Sequence, residues 1–306
     1  MKCLVTGGAG FIGSNLVEEL IKKGHKVVVL DNFFLGIEKN LERIRDKIEL
    51  VDGDIRDLDL LLKITKGVDV IFNQAAASSS PMFRENLKEA LSVNIDGFIH
   101  ILNAARINNV KRVVYASTSS IYGNTKALLR EDMKVVPVNF YASSKLMNEH
   151  LAALYGIEYG LETVGLRYMS VYGPHEEGKT KFANLVTQFL WAMKKDERPV
   201  IYGTGEQTRD FIYVKDICQA NILAAATKKK MIGEIFNVGT GKATSLNDLV
   251  KMLNSVLNKK IQPKYVKNTV KNYIDFQKAD VSKITKSLGY KPEYSIKRGL
   301  EEIIAM

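Results

Sequence analysis

The sequence predicts an α/β protein, a doubly wound parallel sheet with a smaller, partly interleaved α/β domain. Three observations carry this. Short β-branched runs alternate with helix-period segments through the first third of the chain, the rhythm of parallel βαβ units. The runs are apolar at successive positions, as in Val27-Val28-Val29-Leu30, which fits strands covered on both faces. A glycine string, from Gly7 to Gly13, lies between the first run and the first helical segment.

Strands are expected over 2–6, 26–30, 48–51, 68–72 and 112–116, with helices over 15–23 and 58–66 between them. A helix over about 142–155 leads to a strand at 161–166, which completes the sheet. After Gly173-Pro174 the pattern loosens. Apolar runs at 200–202 and 235–238 are short, helices over about 181–194, 214–227 and 246–257 stand apart, and loops lengthen. We therefore place a first domain at 1–170, with a returning segment near 205–235, and a second at 171–306, formed mainly by 171–204 and 236–306.

With 46% hydrophobic and 25% charged residues and only 6 prolines, the 306-residue chain excludes disorder and collagen-like order. No apolar run approaches the roughly 18 residues of a membrane span, and the first strand begins almost at Met1, without room for a signal peptide. A cytoplasmic protein without a membrane partner is expected. Cys3 and Cys218 have no neighbouring Cys or His, so free buried thiols are expected, with neither a disulfide nor a metal site. The net charge of +10 raises anionic partners. Residues 1–170 carry 21 Lys and Arg against 20 Asp and Glu, whereas 171–306 carry 23 against 14. No basic run exceeds Lys228-Lys229-Lys230 and no aromatic residues interleave with it, which argues against nucleic acid. Two readings of the excess stay open: a solvated lysine surface, or steering of a small anionic substrate to the second half.

Thr6-Gly7-Gly8-Ala9-Gly10-Phe11-Ile12-Gly13 opens a βαβ unit. Glycines there permit the tight turn, let backbone N–H groups approach a pyrophosphate and allow close helix packing, while the helix N-terminus attracts the anion. Gly7, Gly10, Phe11, Ile12 and Gly13 are thus candidate cofactor residues of a Rossmann domain. Asp31 ends the second strand 18 residues after Gly13. A carboxylate there accepts from the adenosine ribose hydroxyls and repels a 2′-phosphate, which selects NAD over NADP. Asp54 and Ile55 follow the third strand; Asp54 could accept from the adenine amino group or cap a helix starting at Leu58.

Tyr-x-x-x-Lys occurs at Tyr122 to Lys126 and at Tyr141 to Lys145. The first runs through Gly123-Asn124, a turn composition. The second opens a helix, where an i,i+4 pair projects from one face. A phenol titrates ordinarily at about 10. A neighbouring ammonium and a cationic nicotinamide favour its ionised form, making it a base for a sugar hydroxyl as hydride leaves carbon. Ser117, Thr118, Ser119 and Ser120 follow the strand at 112–116, where a parallel sheet delivers hydroxyls to the cleft beyond its carboxyl ends.

With Leu166-Arg167-Tyr168 and the stretch from Gly205-Glu206-Gln207-Thr208-Arg209 to Lys215-Asp216, these motifs resemble the extended short-chain dehydrogenase/reductases acting on nucleotide sugars, particularly UDP-glucose 4-epimerase-like members, over nearly the whole chain. The resemblance implies an isomerase in which C4 of a UDP-sugar is oxidised with NAD as acceptor, the 4-keto sugar turns over, and hydride returns to its opposite face. By position it implies Thr118 on the sugar oxygen, Tyr141 as base, and Lys145 holding the nicotinamide ribose and lowering the Tyr pKa. Asn32, Ala75, Ala76, Ala77, Asn94, Ser117 and Tyr168 match further cofactor contacts. Ser170, Asn184, Leu185, Val200, Tyr202, Arg209 and Lys271 match the substrate side, with Arg209 on the diphosphate and Tyr202 either stacking on the base or structural. A homodimer through helices around 83–108 and 142–155 is also implied, although burial within a monomer explains their apolar faces equally.

Departures bear on the substrate. Ser170 stands where the family usually has Asn, Lys271 falls in a stretch lacking the common Arg, and Asn73-Gln74-Ala75-Ala76-Ala77 replaces the usual His-x-Ala-Ala. Ser119-Ser120 replaces the Asp-Glu of a 4,6-dehydratase, which argues against dehydration. A UDP-glucose/UDP-galactose 4-epimerase is the leading expectation. A UDP-uronic-acid 4-epimerase or decarboxylase, with Arg84, Lys179 or Lys181 available for a carboxylate, or another nucleotide-sugar epimerase, is the alternative. A non-catalytic NAD-binding regulator conflicts with an intact Thr118, Tyr141 and Lys145.

Overall fold

Consecutive apolar residues require a strand covered on both faces, and β1 (Lys2–Thr6) meets the requirement: Cys3 and Val5 enter one core, Leu4 the other. After α1 (Phe11–Lys22), β2 (Lys26–Asp31) divides the same way, Val27 and Val29 opposite Val28 and Leu30. The computed structural model describes residues 1–269 and 273–306. The first half continues through β3 (Ile48–Asp52), α2 (Leu58–Ile64), β4 (Val70–Asn73), α3 (Ser80–Glu85), α4 (Leu87–Leu91), α5 (Gly97–Ile107), β5 (Arg112–Thr118), α6 (Phe140–Tyr159) and β6 (Glu162–Tyr168). Here α1 packs into the first core and α2 and α5 into the second, so the sheet is sandwiched.

Two helices differ from expectation at their ends. α1 starts at Phe11, four residues before the expected 15, because Gly10 is its N-cap and the glycine string itself makes the first turn. α6 runs from a cap at Asn139, whose Oδ1 accepts the Ala142 N–H at 2.8 Å, to Gly160 in the left-handed conformation.

The second half contains β7 (Ser170–Tyr172), α7 (Leu185–Lys194), β8 (Val200–Tyr202), β9 (Thr208–Arg209), β10 (Phe211–Tyr213), α8 (Val214–Ala226), β11 (Glu234–Val238), β12 (Thr244–Ser245), α9 (Leu246–Leu257), β13 (Lys264–Val266), α10 (Ser282–Leu288) and α11 (Ile296–Ala305). The helix expected over 181–194 is shorter. A 3-10 turn at Glu177–Phe182 contains Thr180 at φ 46°, and α7 begins only after Asn184, its side-chain cap. α9 buries Leu246, Leu249, Val250 and Leu253, an i, i+3, i+4, i+7 stripe that joins Val186, Phe189, Leu190 and Met193 of α7 in the core.

β11 pairs with β6 instead of standing in the second lobe, so the returning segment reaches Val238. The result is a seven-stranded parallel sheet in the order β11-β6-β5-β4-β1-β2-β3. The chain order reverses between β1 and β4, and ligands of such sheets bind beyond the carboxyl ends of the strands at that point. The loops leaving these two strands are in contact: a Cβ on Gly7, whose φ is +66°, would lie 2.7 Å from the Ala75 nitrogen. Cys3 and Cys218 are buried free thiols, with burial pushing Cys3 up to about 11. Among the described residues no helix is long and apolar enough to cross a membrane.

Candidate active site

Beyond the carboxyl ends of the strands lies a cavity of about 560 Å³, walled by both halves of the chain. Gly7, Gly10, Phe11, Ile12 and Gly13 line one side. The N-terminus of α1 has no side-chain cap and no acidic residue in its first turn, and its first residues line the cavity. Gly13 admits no Cβ, which would meet the Gly7 oxygen at 2.1 Å. Asp31 is buried and ties the loop: Oδ2 accepts the Ala9 N–H at 2.8 Å and Oδ1 the Phe33 N–H at 2.9 Å. Burial nevertheless raises its carboxyl pKa, against these donors. A carboxylate has about four acceptor sites, leaving capacity for a ribose hydroxyl. An uncapped helix end over a glycine turn, with a buried carboxylate beside it, fits a dinucleotide.

Asp54 and Ile55 line the far end. Asp54 does not cap α2; Asp57 does, accepting the Leu60 N–H at 2.9 Å. Instead Arg56 grips Asp54 in a two-toothed pair at 2.9 and 2.8 Å, Asn32 donates to it at 3.0 Å, and the pairing with Arg56 holds the carboxyl below its ordinary range. Ala75, Ala76 and Ala77 line the cavity, whereas Asn94 lies behind them. A π-helical turn, Ser92–Asp96, sets Asn94 so that it accepts the Ala77 N–H at 2.8 Å and donates to the Ala77 oxygen at 3.2 Å and Ser144 Oγ at 3.0 Å.

At the middle of the cavity Lys145 is 3% exposed, and its Nζ donates to the Ala116 carbonyl at 2.9 Å. Burial pulls the ammonium down to about 8. Tyr141, on the same helix face, is instead pushed up by burial, with the Thr118 hydroxyl as the opposing hydrogen bond. The Lys145 ammonium is directed to the backbone of β5. Ser117 touches the cavity, but its hydroxyl donates to Glu149, which is clamped by Arg167 at 2.9 and 2.7 Å beneath the site. Tyr168 donates to Gln74 at 3.2 Å and accepts from Asn221 at 2.8 Å, which gives the unusual Gln74 a structural partner.

Thr118, Ser119, Ser120, Ser170 and Gln277 form another part of the lining. Sequence reasoning missed Gln277. It is 5% exposed, accepts from Ser170 Oγ at 2.7 Å and donates to Ser119 Oγ at 2.8 Å, so the short Ser170 is completed by an amide from elsewhere. Asn184 lines the cavity; Leu185 does not. Val200 and Tyr202 lie outside it, Tyr202 in an adjoining hollow of about 640 Å³. Tyr273 belongs to that hollow, and the Arg209 guanidinium lies 5.2 Å over its ring. Arg209 lines the main cavity, is 8% exposed, and has no ion-pair partner within 4.0 Å among the described residues. Burial lowers its pKa, and its Nη1 donates to the Thr208 carbonyl at 2.8 Å. Lys271 lies outside the described residues. Of the candidate carboxylate partners, Arg84 is exposed, Lys181 pairs with Glu85 at the surface, and only Lys179 lines the cavity.

A parallel sheet with an uncapped helix at its switch point, facing a Tyr, a Lys and a Thr at the ends of β5 and α6, defines a dinucleotide-dependent enzyme. Comparison with known proteins narrows this. Residues 3–239 match the model of the NAD dependent epimerase/dehydratase family, and the chain belongs to that family. It is an NAD-dependent enzyme of the extended short-chain dehydrogenase/reductase type. It is 37% identical, over 98% of its length and 96% of the relative's, to a putative UDP-glucose 4-epimerase of Methanocaldococcus jannaschii. Among solved structures, it is similar to a UDP-N-acetylglucosamine 4-epimerase from Methanobrevibacter ruminantium in complex with UDP-N-acetylmuramic acid, at TM-score 0.93 and 34% identity over 99% of this chain and 97% of that one. A UDP-glucuronic acid 4-epimerase from Bacillus cereus, in complex with UDP-glucuronic acid and NAD, superposes at TM-score 0.91 with 30% identity over 100% and 98% of the two chains.

Proposed function

We propose that the protein is a UDP-hexose 4-epimerase of the UDP-glucose/UDP-galactose type. The main support is the part of the cavity where Tyr141 and Thr118 share the lining with Ser119, Ser120, Ser170 and Gln277, the two adjacent serines standing where a 4,6-dehydratase carries its Asp-Glu. NAD supplies a hydride acceptor and a positive charge there when bound. Tyr141 takes the proton of the C4 hydroxyl, and Thr118 shares the same oxygen. Lys145, fixed by the Ala116 carbonyl, holds the nicotinamide ribose and adds charge one helical turn from the phenol. With the 4-keto sugar presenting its other face, the same phenol returns the proton. Glycine-loop N–H groups and Asp31 hold the cofactor, and Arg209 takes the diphosphate of the sugar nucleotide.

The working unit is a homodimer. Phe140, Met147 and Leu154 recur every seven residues along α6 and are 56%, 49% and 52% exposed, a stripe suited to packing against a second copy.

The second reading is uronate 4-epimerisation or decarboxylation, favoured by the presence of Lys179 in the lining. Incubation with a panel of UDP, GDP and ADP sugars, including UDP-glucuronate, followed by NMR of the products separates the two. Interconversion of UDP-glucose and UDP-galactose that disappears in Tyr141→Phe is expected. Turnover of the uronate alone moves the assignment to the second reading; no turnover, or turnover indifferent to Tyr141→Phe, removes both.

A further inference from the structure

The excess positive charge of the second half is mostly external; among the described residues Lys179 and Arg209 are its two cations in the cavity lining. Lys179 has no role in the chemistry above. Its side chain is 22% exposed, and its Nζ lies 5.2 Å from the centre of the Phe11 ring. Phe11 is the first residue of α1, so Lys179 touches a side chain of the first helical turn and lines the same cavity as Gly10, Ile12 and Gly13. The nearest carboxylate oxygen, Glu176 Oε1, is 3.8 Å away, beyond hydrogen-bond length. Glu176 is itself occupied by the Asn184 N–H at 3.1 Å and by the Thr187 hydroxyl. An ammonium carries three donors, and no hydrogen bond within the described residues takes one of them, while the residue lines the cavity.

The segment that presents it is fixed. Thr180 is held at φ 46° and ψ −118°, a conformation a β-branched residue keeps only when its surroundings enforce it. Gly178 is pressed onto the opposite wall, since a Cβ there would lie 2.3 Å from the Leu35 oxygen. That wall is tied in turn to the glycine loop, with the Ile37 N–H donating to the Ala9 oxygen at 3.1 Å. Lys179 thus reaches across to the wall formed by the first turn of α1, whose helix dipole favours an anion in the shared cavity.

We infer that Lys179 binds a diphosphate, acting as a strap laid over the N-terminus of α1. The contact with Phe11 points to the pyrophosphate of the dinucleotide; the diphosphate of a sugar nucleotide offers the same chemistry from the other side. The second source rests on the function proposed above, whereas the first does not.

The test compares the parent with Lys179→Gln and Lys179→Arg, each checked for an unchanged melting temperature. NAD and adenosine are titrated into cofactor-stripped protein, UDP and uridine into NAD-loaded protein. NAD binding weakened about tenfold or more in the Gln variant, with adenosine unchanged and Arg restoring most of the loss, is the expected result. The same pattern for UDP against uridine supports the diphosphate contact but gives it to the substrate. Diphosphate and nucleoside weakened alike, or neither weakened, overturns the inference.

Discussion

Tyr141 and Lys145 share one face of α6 yet make no bond to each other: the phenol is opposed by Thr118, and the ammonium donates to Ala116 at 2.9 Å. Spacing along a helix places two side chains together; it does not decide their partners. The carboxyl end of β5 decides here, by offering a hydroxyl to one and a carbonyl to the other. Burial pushes the phenol pKa up, so it is less readily ionised than an exposed one. In the function proposed above, the positive charge of the bound cofactor favours the ionised phenol, which couples proton abstraction to cofactor occupancy.

The buried ammonium has a thermodynamic signature. Lys145 falls from 10.5 to about 8 on burial. Between those values the unfolded chain holds a proton that the folded chain has lost, so stability rises with pH across that window, and the burden of the charge is greatest below pH 8. Lys145→Met should therefore stabilise the cofactor-free protein at pH 7 by about 2 kcal/mol after loss of the Ala116 hydrogen bond is subtracted, with the gain shrinking toward pH 10.5. Urea titrations at both pH values check this. A variant less stable than the parent at pH 7 would show that the hydrogen bond outweighs burial.

Asp31 is expected to act twice on the cofactor, as an acceptor and as the brace of the glycine loop through Ala9 and Phe33. Asp31→Ala removes both functions, and NAD affinity should fall about 100-fold by fluorescence titration. Asp31→Asn retains the shape but opposes an amide to one backbone N–H, and should narrow the preference for NAD over NADP. Unchanged NAD affinity in the Ala variant would exclude both roles.

The sheet was legible because its strands are apolar on both faces, a pattern local to each run, and the glycine turn because its chemistry is contiguous. β11 was harder. Its five residues resemble any short strand, and only pairing with β6 assigns it to the sheet. Within the site, Thr118, Tyr141, Lys145 and Arg209 lie in motifs. Gln277 sits in no motif, and its bridge from Ser119 to Ser170 exists only when three distant segments fold together. The position of Tyr202 in a neighbouring hollow, and of Asn94 behind the alanines, likewise depends on which way a side chain turns. Periodicity does not encode that.

Arg209 buries a guanidinium without a carboxylate partner among the described residues, an arrangement that is costly until an anion arrives. Arg209→Met should raise the melting temperature of the ligand-free protein while weakening UDP about 100-fold, and Arg209→Lys should fall between, lacking the planar fork. Calorimetric titration with UDP and thermal scans with and without it provide both readings. A Met variant that still gains the full thermal shift from UDP would place the diphosphate elsewhere.

The stripe on α6 separates a dimer from a monomer with an apolar surface. Met147 and Leu154 are half-exposed and one heptad apart, and neither lines the cavity, so changing them tests association without touching the chemistry. Met147→Glu combined with Leu154→Glu places two charges in a face that would be desolvated in a dimer, at a cost of several kcal/mol, whereas on a free surface each change is worth about 0.5 kcal/mol or less. Light scattering across a concentration series should give a dimer for the parent and a monomer for the variant, with the melting temperature of the variant lowered at high protein concentration only. A parent that is already monomeric would assign the exposed stripe to the monomer surface.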